Sequence, residues 1–561
     1  MGIDMEQKLN SQTYLERPVW SSIRALYKGM GYSDYDLARP MIGVANSWNL
    51  ANPGHANLKQ ISDYVKQGIY QAGGTPVEFG IIGPCDGMGC GNEGMHYILP
   101  SREIITNEIE TMVKINHLDA IVLLGSCDKV VPALLMAAAR LDIPAMIVNG
   151  GPSLGGMEFA GRSSDNSSIV EALGMLTKNR LSEDTYLQLE NESSPTCGAC
   201  SFLGTASTMC AVAEAMGMIL PGGSMIPAVM AERLRIAQAS GRRIVKMVSE
   251  NLNARKMINK AGLLNALRLG MAIGGSTNMA LHFPAIAYEA ECDLTVAEID
   301  EIARSTPHLA RIYPNGPLNV PDFYQAGGVL AVMKHLVSLL DETAMTCMGQ
   351  SWRDILKDVP EVENEVIHSP AHAWHQWGSL AVLRGNLAPD SAITKPTAID
   401  ASMLKFTGRA ICFDSEDEAV DAVMAEKILP GMVVVIRYEG PKGGPGMREM
   451  VRIMKMLHGQ ELSLCVAVIT DGRFSGTNNG CFVGHISPEA AEGGPIAVVR
   501  DGDLITIDIE EGTINLNIPK EALEERLVEF VPKKQKKQRG YLNVYARLAE
   551  SAAHGAIIKN R

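Results

Sequence analysis

The chain lacks a basic excess. Over 561 residues, 50 Lys and Arg stand against 63 Asp and Glu, a formal net charge of −13. A protein that grips nucleic acid by its phosphates needs a positive face, so nucleic acid is set aside as a partner. It also lacks a run of about 20 uninterrupted apolar residues. The longest candidate, Met209 to Met230, is broken by Glu214, Pro221, Gly222 and Gly223, which argues against a membrane role. No internal repeat or low-complexity tract is found. The first residues, MGIDMEQKLNSQTY, are polar without an apolar h-region, so the expectation is a cytoplasmic chain with no secretory signal. What is present is an ordinary globular balance, 46% hydrophobic and 20% charged. At roughly 100–200 residues per domain, that length makes two to four domains.

Eleven cysteines stand at 85, 90, 127, 197, 200, 210, 292, 347, 412, 465 and 481. Disulfides are rare in a reducing compartment, and an odd, irregularly spaced set does not suggest a disulfide framework. Cys292, Cys412 and Cys465 lie in apolar-rich segments and read as small buried hydrophobes. The cysteines beside Asp and Gly in loops read as chemistry.

Patterning divides the chain. Helix candidates at Leu58 to Ala72, Ser101 to Ile115 and Val131 to Leu141 alternate with apolar strands at Val77 to Gly83, Asp119 to Gly125 and Pro144 to Gly150. Continuous apolar strands between helices predict a parallel sheet covered on both faces. From about 160 to 345 the pattern is mostly helical, with Thr295 and Glu298 forming a capping box. Strands return at Met432 to Tyr438 and Ser463 to Thr470. Ile505, Ile507, Ile509 and then Ile514, Leu516, Ile518 alternate with polar residues around the turns Asp501-Gly502 and Glu511-Gly512. This predicts a β-meander of a sandwich or barrel. The fold class is therefore α/β: an N-terminal parallel-sheet domain with helical additions over 1–375, and a C-terminal β-barrel-like domain with a last helix over 376–561. The run Lys533, Lys534, Lys536, Lys537, Arg539 reads as a solvated connector.

Ligands gather at the carboxyl ends of parallel strands, and two such ends carry unusual loops. GPCDGMGCGNEGM brings Cys85, Asp86, Cys90, Asn92 and Glu93; SCDKVVP brings Cys127, Asp128 and Lys129. Aspartate oxygens suit Mg²⁺, and thiolates suit iron–sulfur or zinc; the plainer alternative is that Asp86 and Asp128 cap helices. The Cys197–Cys200 pair is half of a zinc, redox or cluster site, and His372 and His375 are its candidate zinc partners. RYEGPKGGPGM carries Glu439 at a strand end, and TDGRFSG displays Ser475 just past another. Gly89, Gly91 and Gly94 spell a dinucleotide fingerprint. It is discounted because Asp86 and Glu93 would face the pyrophosphate and Leu99-Pro100 interrupts the expected helix.

These segments, with NSWNLANPGH, GGSTN, GNLAPDSAITKP and GHISPEAAEGGPIAVVRDGDLI, resemble in order and over nearly the whole chain the dihydroxy-acid dehydratase and sugar-acid (phosphogluconate-type) dehydratase family. The resemblance implies an active site between an α/β domain and a β-barrel-like domain, near the interface of a homodimer or dimer of dimers. It implies an iron–sulfur cluster on Cys127 and Cys200, and Mg²⁺ on Asp86, Asp128 and Glu439 with Lys129, which the family can carbamylate. Ser475 matches the family's general base. The implied reaction turns a 2,3-dihydroxy carboxylic acid into a 2-oxo acid. The branched 2,3-dihydroxyisovalerate type is favoured over an aldonic sugar acid, and a non-catalytic paralogue is the reading from another class. Four departures stand out: Gly54 where cluster-bearing relatives often have a third Cys, Asn92 for His, Cys90 for Met, and REMVRIMKMLHG without the usual Pro-Thr-Ser run. The cluster is therefore left open between 2Fe–2S and 4Fe–4S, with Cys197, Cys85 or Cys90 as a substitute third ligand, or none.

Overall fold

A computed structural model describes residues 9–475, 480–533 and 539–559. Gly476 of the serine motif and Lys534, Lys536 and Lys537 of the basic run lie outside these residues. Lys533 is exposed, as the solvated reading expects, while pairing with Asp414 and lying 4.8 Å over the Tyr438 ring.

The N-terminal half is built on four parallel strands: β1 (Met41–Asn46), β2 (Thr75–Gly80), β3 (Ala120–Leu124) and β4 (Ala145–Val148), in the order β2-β1-β3-β4. Register runs Ile42 against Pro76 and Ala120, and Ile121 against Ala145. The expected strands are present but shorter, because the residues after Gly80, Leu124 and Val148 leave the ladder to form loops. Helices Leu58–Gln71, Ser101–Asn116 and Val130–Leu141 supply the crossovers. Val130–Leu141 is apolar and enclosed along nearly its whole length, Arg140 in its last turn reaching out to Glu110 and Glu289. The 160–345 region is mostly helical as expected, and Thr295 caps Val296–Ser305 with Glu298 reciprocating.

The C-terminal half is a closed eight-stranded barrel. Its strands run Met432–Ile436, Ala467–Thr470, Phe482–Ser487, Ala388–Thr394, Ala381–Gly385, Thr513–Leu516, Leu504–Asp508 and Lys405–Phe413, the last closing on the first. Alternation sorts the side chains. Val433, Val435, Ala467, Ile469, Ile505 and Ile507 fill the interior, while Val434, Ile436 and Val468 pack outward with helices Glu416–Met424 and Arg452–Gly459. The expected meander is a hairpin within this barrel, with Ile507 opposite Ile514. Gly502 and Gly512 take positive φ at its turns. Cys292, Cys412 and Cys465 are half-buried at the edges of the cores rather than inside them.

Candidate active site

The loops that leave β1, β2 and β3 are laced together by one histidine. The His55 ring lies 3.0 Å from the Ser47 carbonyl through Nδ1, and its Nε2 accepts the N–H groups of Ser126 (3.4 Å) and Cys127 (3.2 Å). Two donors on Nε2 put the ring proton on Nδ1. Burial keeps this imidazole neutral, its pKa drawn down to about 4. Gly83 packs on the ring, and a Cβ there would fall 2.2 Å from Nδ1. The sequence motif PGH thus supplies the pin that sets the height of Cys127.

Beyond that pin the loops after β2 and β3 each present a thiol and then a carboxylate, Cys85-Asp86 and Cys127-Asp128. Carboxylate oxygens of Asp86, Asp128 and Glu449 all lie within 4.8 Å of one another. Lys129 Nζ stands among them, 2.8 Å from Asp86, 3.2 Å from Glu449 and 3.8 Å from Asp128. Arg473 pairs with Glu449 and lies 3.9 Å from Asp86, with Asn278 accepting from Arg473 at 2.9 Å. Burial pushes the Asp86 and Asp128 carboxyls upward, Asp128 strongly, with the neighbouring Asp86 charge adding to it. Burial acts the same way on Glu449, but Lys129 and Arg473 outweigh it and hold that carboxylate low.

The third carboxylate is Glu449, where the expectation was Glu439. Glu439 is enclosed elsewhere: its Oε1 accepts the Glu416 N–H at 3.0 Å and lies 3.8 Å from Arg448. It thereby serves the N-terminus of helix Glu416–Met424, where a negative charge is stabilising. Glu449 reaches the site because Glu449–Met450 pairs in parallel with Arg473–Phe474, Glu449 opposite Arg473. The Ser475 N–H extends that ladder to the Met450 carbonyl at 3.3 Å. Strand alternation puts Ser475 on the same side as Arg473. Glu449, Arg473, Asn278 and His55 were missed as functional residues. The signal for Glu449 was a carboxylate directly after a Gly-rich loop, in a segment long enough to pair with TDGRFS.

Cys127 and Cys200 come together through the backbone. The Gly198 N–H donates to the Pro53 carbonyl at 2.9 Å, and a Cβ on Gly54 would meet Cys127 Sγ at 2.7 Å and Ala199 Cα at 3.7 Å. The thiols do not close on one point as the carboxylates do. The carboxylate trio is the one group of three or more His, Cys, Asp or Glu donors with such mutual spacing among the described residues. That disfavours a single zinc ion on the thiols. It suits a wider polynuclear cluster of the kind soft thiolates hold. His372 and His375 do not join them: His372 bonds Glu363 at 2.7 Å, and His375 stacks on His308. The carboxylate trio fits a hard cation by its donors. Asp86 Oδ1 is buried with no hydrogen-bond partner among the described residues, an acceptor left for an ion.

Hard oxygen donors and soft thiols thus stand side by side between an α/β half and a barrel. Residues 39–355 match the dihydroxy-acid/6-phosphogluconate dehydratase N-terminal family, and residues 365–556 match its C-terminal counterpart, so the chain belongs to this family. It is 45% identical over 545 residues to a dihydroxy-acid dehydratase of Ignicoccus hospitalis, covering 97% of this chain and 98% of that one. It is 46% identical over 554 residues to the enzyme so named in Methanosarcina barkeri, covering 98% and 100%. The corresponding figures for Pyrococcus furiosus are 46% over 539 residues, 96% and 97%. No helix among the described residues is long and apolar enough to cross a membrane.

Proposed function

We propose that this chain removes water from a 2,3-dihydroxy carboxylic acid to give the 2-oxo acid, acting on 2,3-dihydroxyisovalerate-type acids of branched-chain amino-acid biosynthesis. The observation that carries this reading is the pairing of thiol and carboxylate in consecutive positions, Cys85-Asp86 and Cys127-Asp128, opposite Glu449. On this reading Asp86, Asp128 and Glu449 hold Mg²⁺ with Lys129, and Cys127 and Cys200 hold an iron–sulfur cluster. Bound there, the cation supplies charge stabilisation for a developing enolate, and the cluster supplies Lewis acidity toward the departing hydroxyl.

The protein's own groups do the rest. Ser475 Oγ takes the C2 proton. A serine hydroxyl is a very weak base, so this role needs the alkoxide, which positive charge favours. Arg473, two residues earlier on the same side of the strand, contributes fixed positive charge. Asn278 keeps Arg473 and Glu449 in register by bonding both, at 2.9 and 3.3 Å. The C3 hydroxide leaves as water with the proton that Ser475 took from C2, which restores the alkoxide, and the enol tautomerises to the 2-oxo acid. As an uncarbamylated ammonium, Lys129 occupies the centre of the carboxylates and competes with a cation. Carbamylation turns it from a competitor into an oxygen donor. The test is 2-oxo acid formation by protein prepared without oxygen and supplied with Mg²⁺ and bicarbonate, comparing 2,3-dihydroxyisovalerate with gluconate, xylonate and arabinonate. Preference for a sugar acid overturns the substrate class. Ser475→Ala is expected to lose turnover while its iron, sulfide and visible absorption stay at wild-type levels; substantial residual turnover removes Ser475 from the base role.

A further inference from the structure

Two thiols are few for an iron–sulfur cluster, which protein thiolates hold in larger number. Gly54 brings only backbone to Cys127. The other cysteines divide by location. Cys210, Cys347 and Cys481 are buried in hydrophobic surroundings. Cys292, Cys412 and Cys465 pack at the edges of the cores. Cys90 lies beside Glu416, Glu449, Arg452 and Arg448 rather than beside the other thiols. Cys197 stands in the Cys200 loop, half-buried.

We propose that Cys85 is the third thiolate of the cluster, completing a set with Cys127 and Cys200. The inference rests on the cluster reading above and goes beyond it by selecting one donor. Its geometry is a laced set of loops. The Gly83 carbonyl accepts from Asn49 Nδ2 at 3.0 Å and from Asn52 Nδ2 at 2.8 Å, and Asn52 Oδ1 lies 3.7 Å from Cys127 Sγ. The loop that carries Cys85 is thereby tied to Cys127 through Asn52. The Cys85 and Cys127 thiols lie close enough for each to perturb the other, and Cys200 stands close enough to interact electrostatically with Cys85. Cys85 is extended, φ −129° and ψ 129°, and immediately precedes helix Asp86–Gly89. A single short segment therefore turns its thiol toward Cys127 and its next side chain, Asp86, toward Lys129. The cluster and the cation would then share two loops, each donating to both.

The experiment uses full-length protein purified without oxygen. Wild type, Cys85→Ala, Cys85→Ser, Cys90→Ser and Cys197→Ser are compared for iron and acid-labile sulfide per chain, and for the electron paramagnetic resonance spectrum after dithionite reduction. Circular dichroism checks that each variant is folded. Cys85→Ala is expected to lose iron and sulfide about tenfold, Cys85→Ser to keep some with an altered spectrum, and the other two to match wild type. A second measurement on wild type does not depend on a variant folding. Iodoacetamide should label Cys85 at least tenfold more slowly in loaded protein than in protein stripped of iron. Full iron and an unchanged spectrum in Cys85→Ala overturn the assignment, as does equal labelling in the two forms. Wild type that carries no iron and sulfide overturns the cluster reading itself, and this assignment with it.

Discussion

Exchanging two glutamates for glutamine decides which carboxylate belongs to the cation centre. Asp86, Asp128 and Glu449 oppose Lys129 and Arg473, three acidic groups against two basic ones in a buried space. Glu449→Gln keeps the side-chain shape and leaves two against two, so the metal-free fold is expected to change by no more than about 1–2 kcal/mol, the scale of one hydrogen bond. The cation, however, loses a charged donor. At an effective dielectric near 20, a unit pair about 4 Å apart is worth about 4 kcal/mol. Reduced for partial screening, that predicts at least about a hundredfold weaker binding. Glu439→Gln removes an acceptor from the start of helix Glu416–Met424. It should cost about 1 kcal/mol of stability and leave cation affinity nearly unchanged. Calorimetric titration with Mg²⁺, or Mn²⁺ as a spin probe, measures the affinities, and urea unfolding measures the stabilities. Wild-type affinity in Glu449→Gln refutes the assignment, as does lost affinity in a folded Glu439→Gln.

Lys129→Met leaves three acidic groups facing Arg473 alone. Without metal it should be destabilised by about 3–5 kcal/mol, and Mg²⁺ should raise its melting temperature more than it raises that of wild type; equal shifts would refute the charge balance. Gly83→Ala drives a Cβ onto the His55 ring, so the Cys127 loop should shift and bound iron should fall severalfold; full iron retention would deny His55 its pinning role. His308 is buried with both ring nitrogens lacking hydrogen-bond partners among the described residues, and desolvation lowers its pKa to about 3. A depressed folded pKa means the unfolded chain binds the proton first, so stability is present above about 6.5 and lost as pH falls toward 3. Between pH 7.5 and 5.5 wild type should lose about 1.4 kcal/mol relative to His308→Leu in parallel urea titrations. A pH-independent difference would contradict it.

The parallel sheet and the barrel were legible because their signals are local. Uninterrupted apolar runs such as Ala120–Leu124 sit on a doubly covered sheet, and Ile505 and Ile507 alternate with polar neighbours at a barrel wall. The thiol–carboxylate loops were legible because the strands before them end abruptly. Glu439 misled for a physical reason: it too ends a strand and opens a Gly-rich loop, but its Oε1 turns to a helix terminus formed by Ser415 and Glu416, more than 20 residues earlier, and it stands apart from the Asp86–Asp128–Glu449 trio. Glu449 depends on a two-residue pairing with Arg473 that no periodicity announces. His55 reads as a lone histidine in a loop until three strand ends are brought around it.

The division of donors between the halves has an energetic consequence. Asp86, Asp128 and Lys129 leave the parallel sheet, while Glu449 and Arg473 come from a short pairing attached to the barrel. A buried excess of negative charge at that seam is unfavourable until a cation neutralises it. On the proposed reading, cation binding would draw the halves together at the place where Ser475 would meet the thiol-bearing loops. Ligation stabilises the assembled form by about 2.7 kcal/mol at a hundredfold excess over Kd. Arg473 and Lys129 hold the seam in the meantime, offsetting two of the three buried carboxylates. They make the metal-free site tolerable, and on the proposed reading the exchange of Lys129 from ammonium to carbamate would convert a pocket largely neutralised from within into one that requires metal.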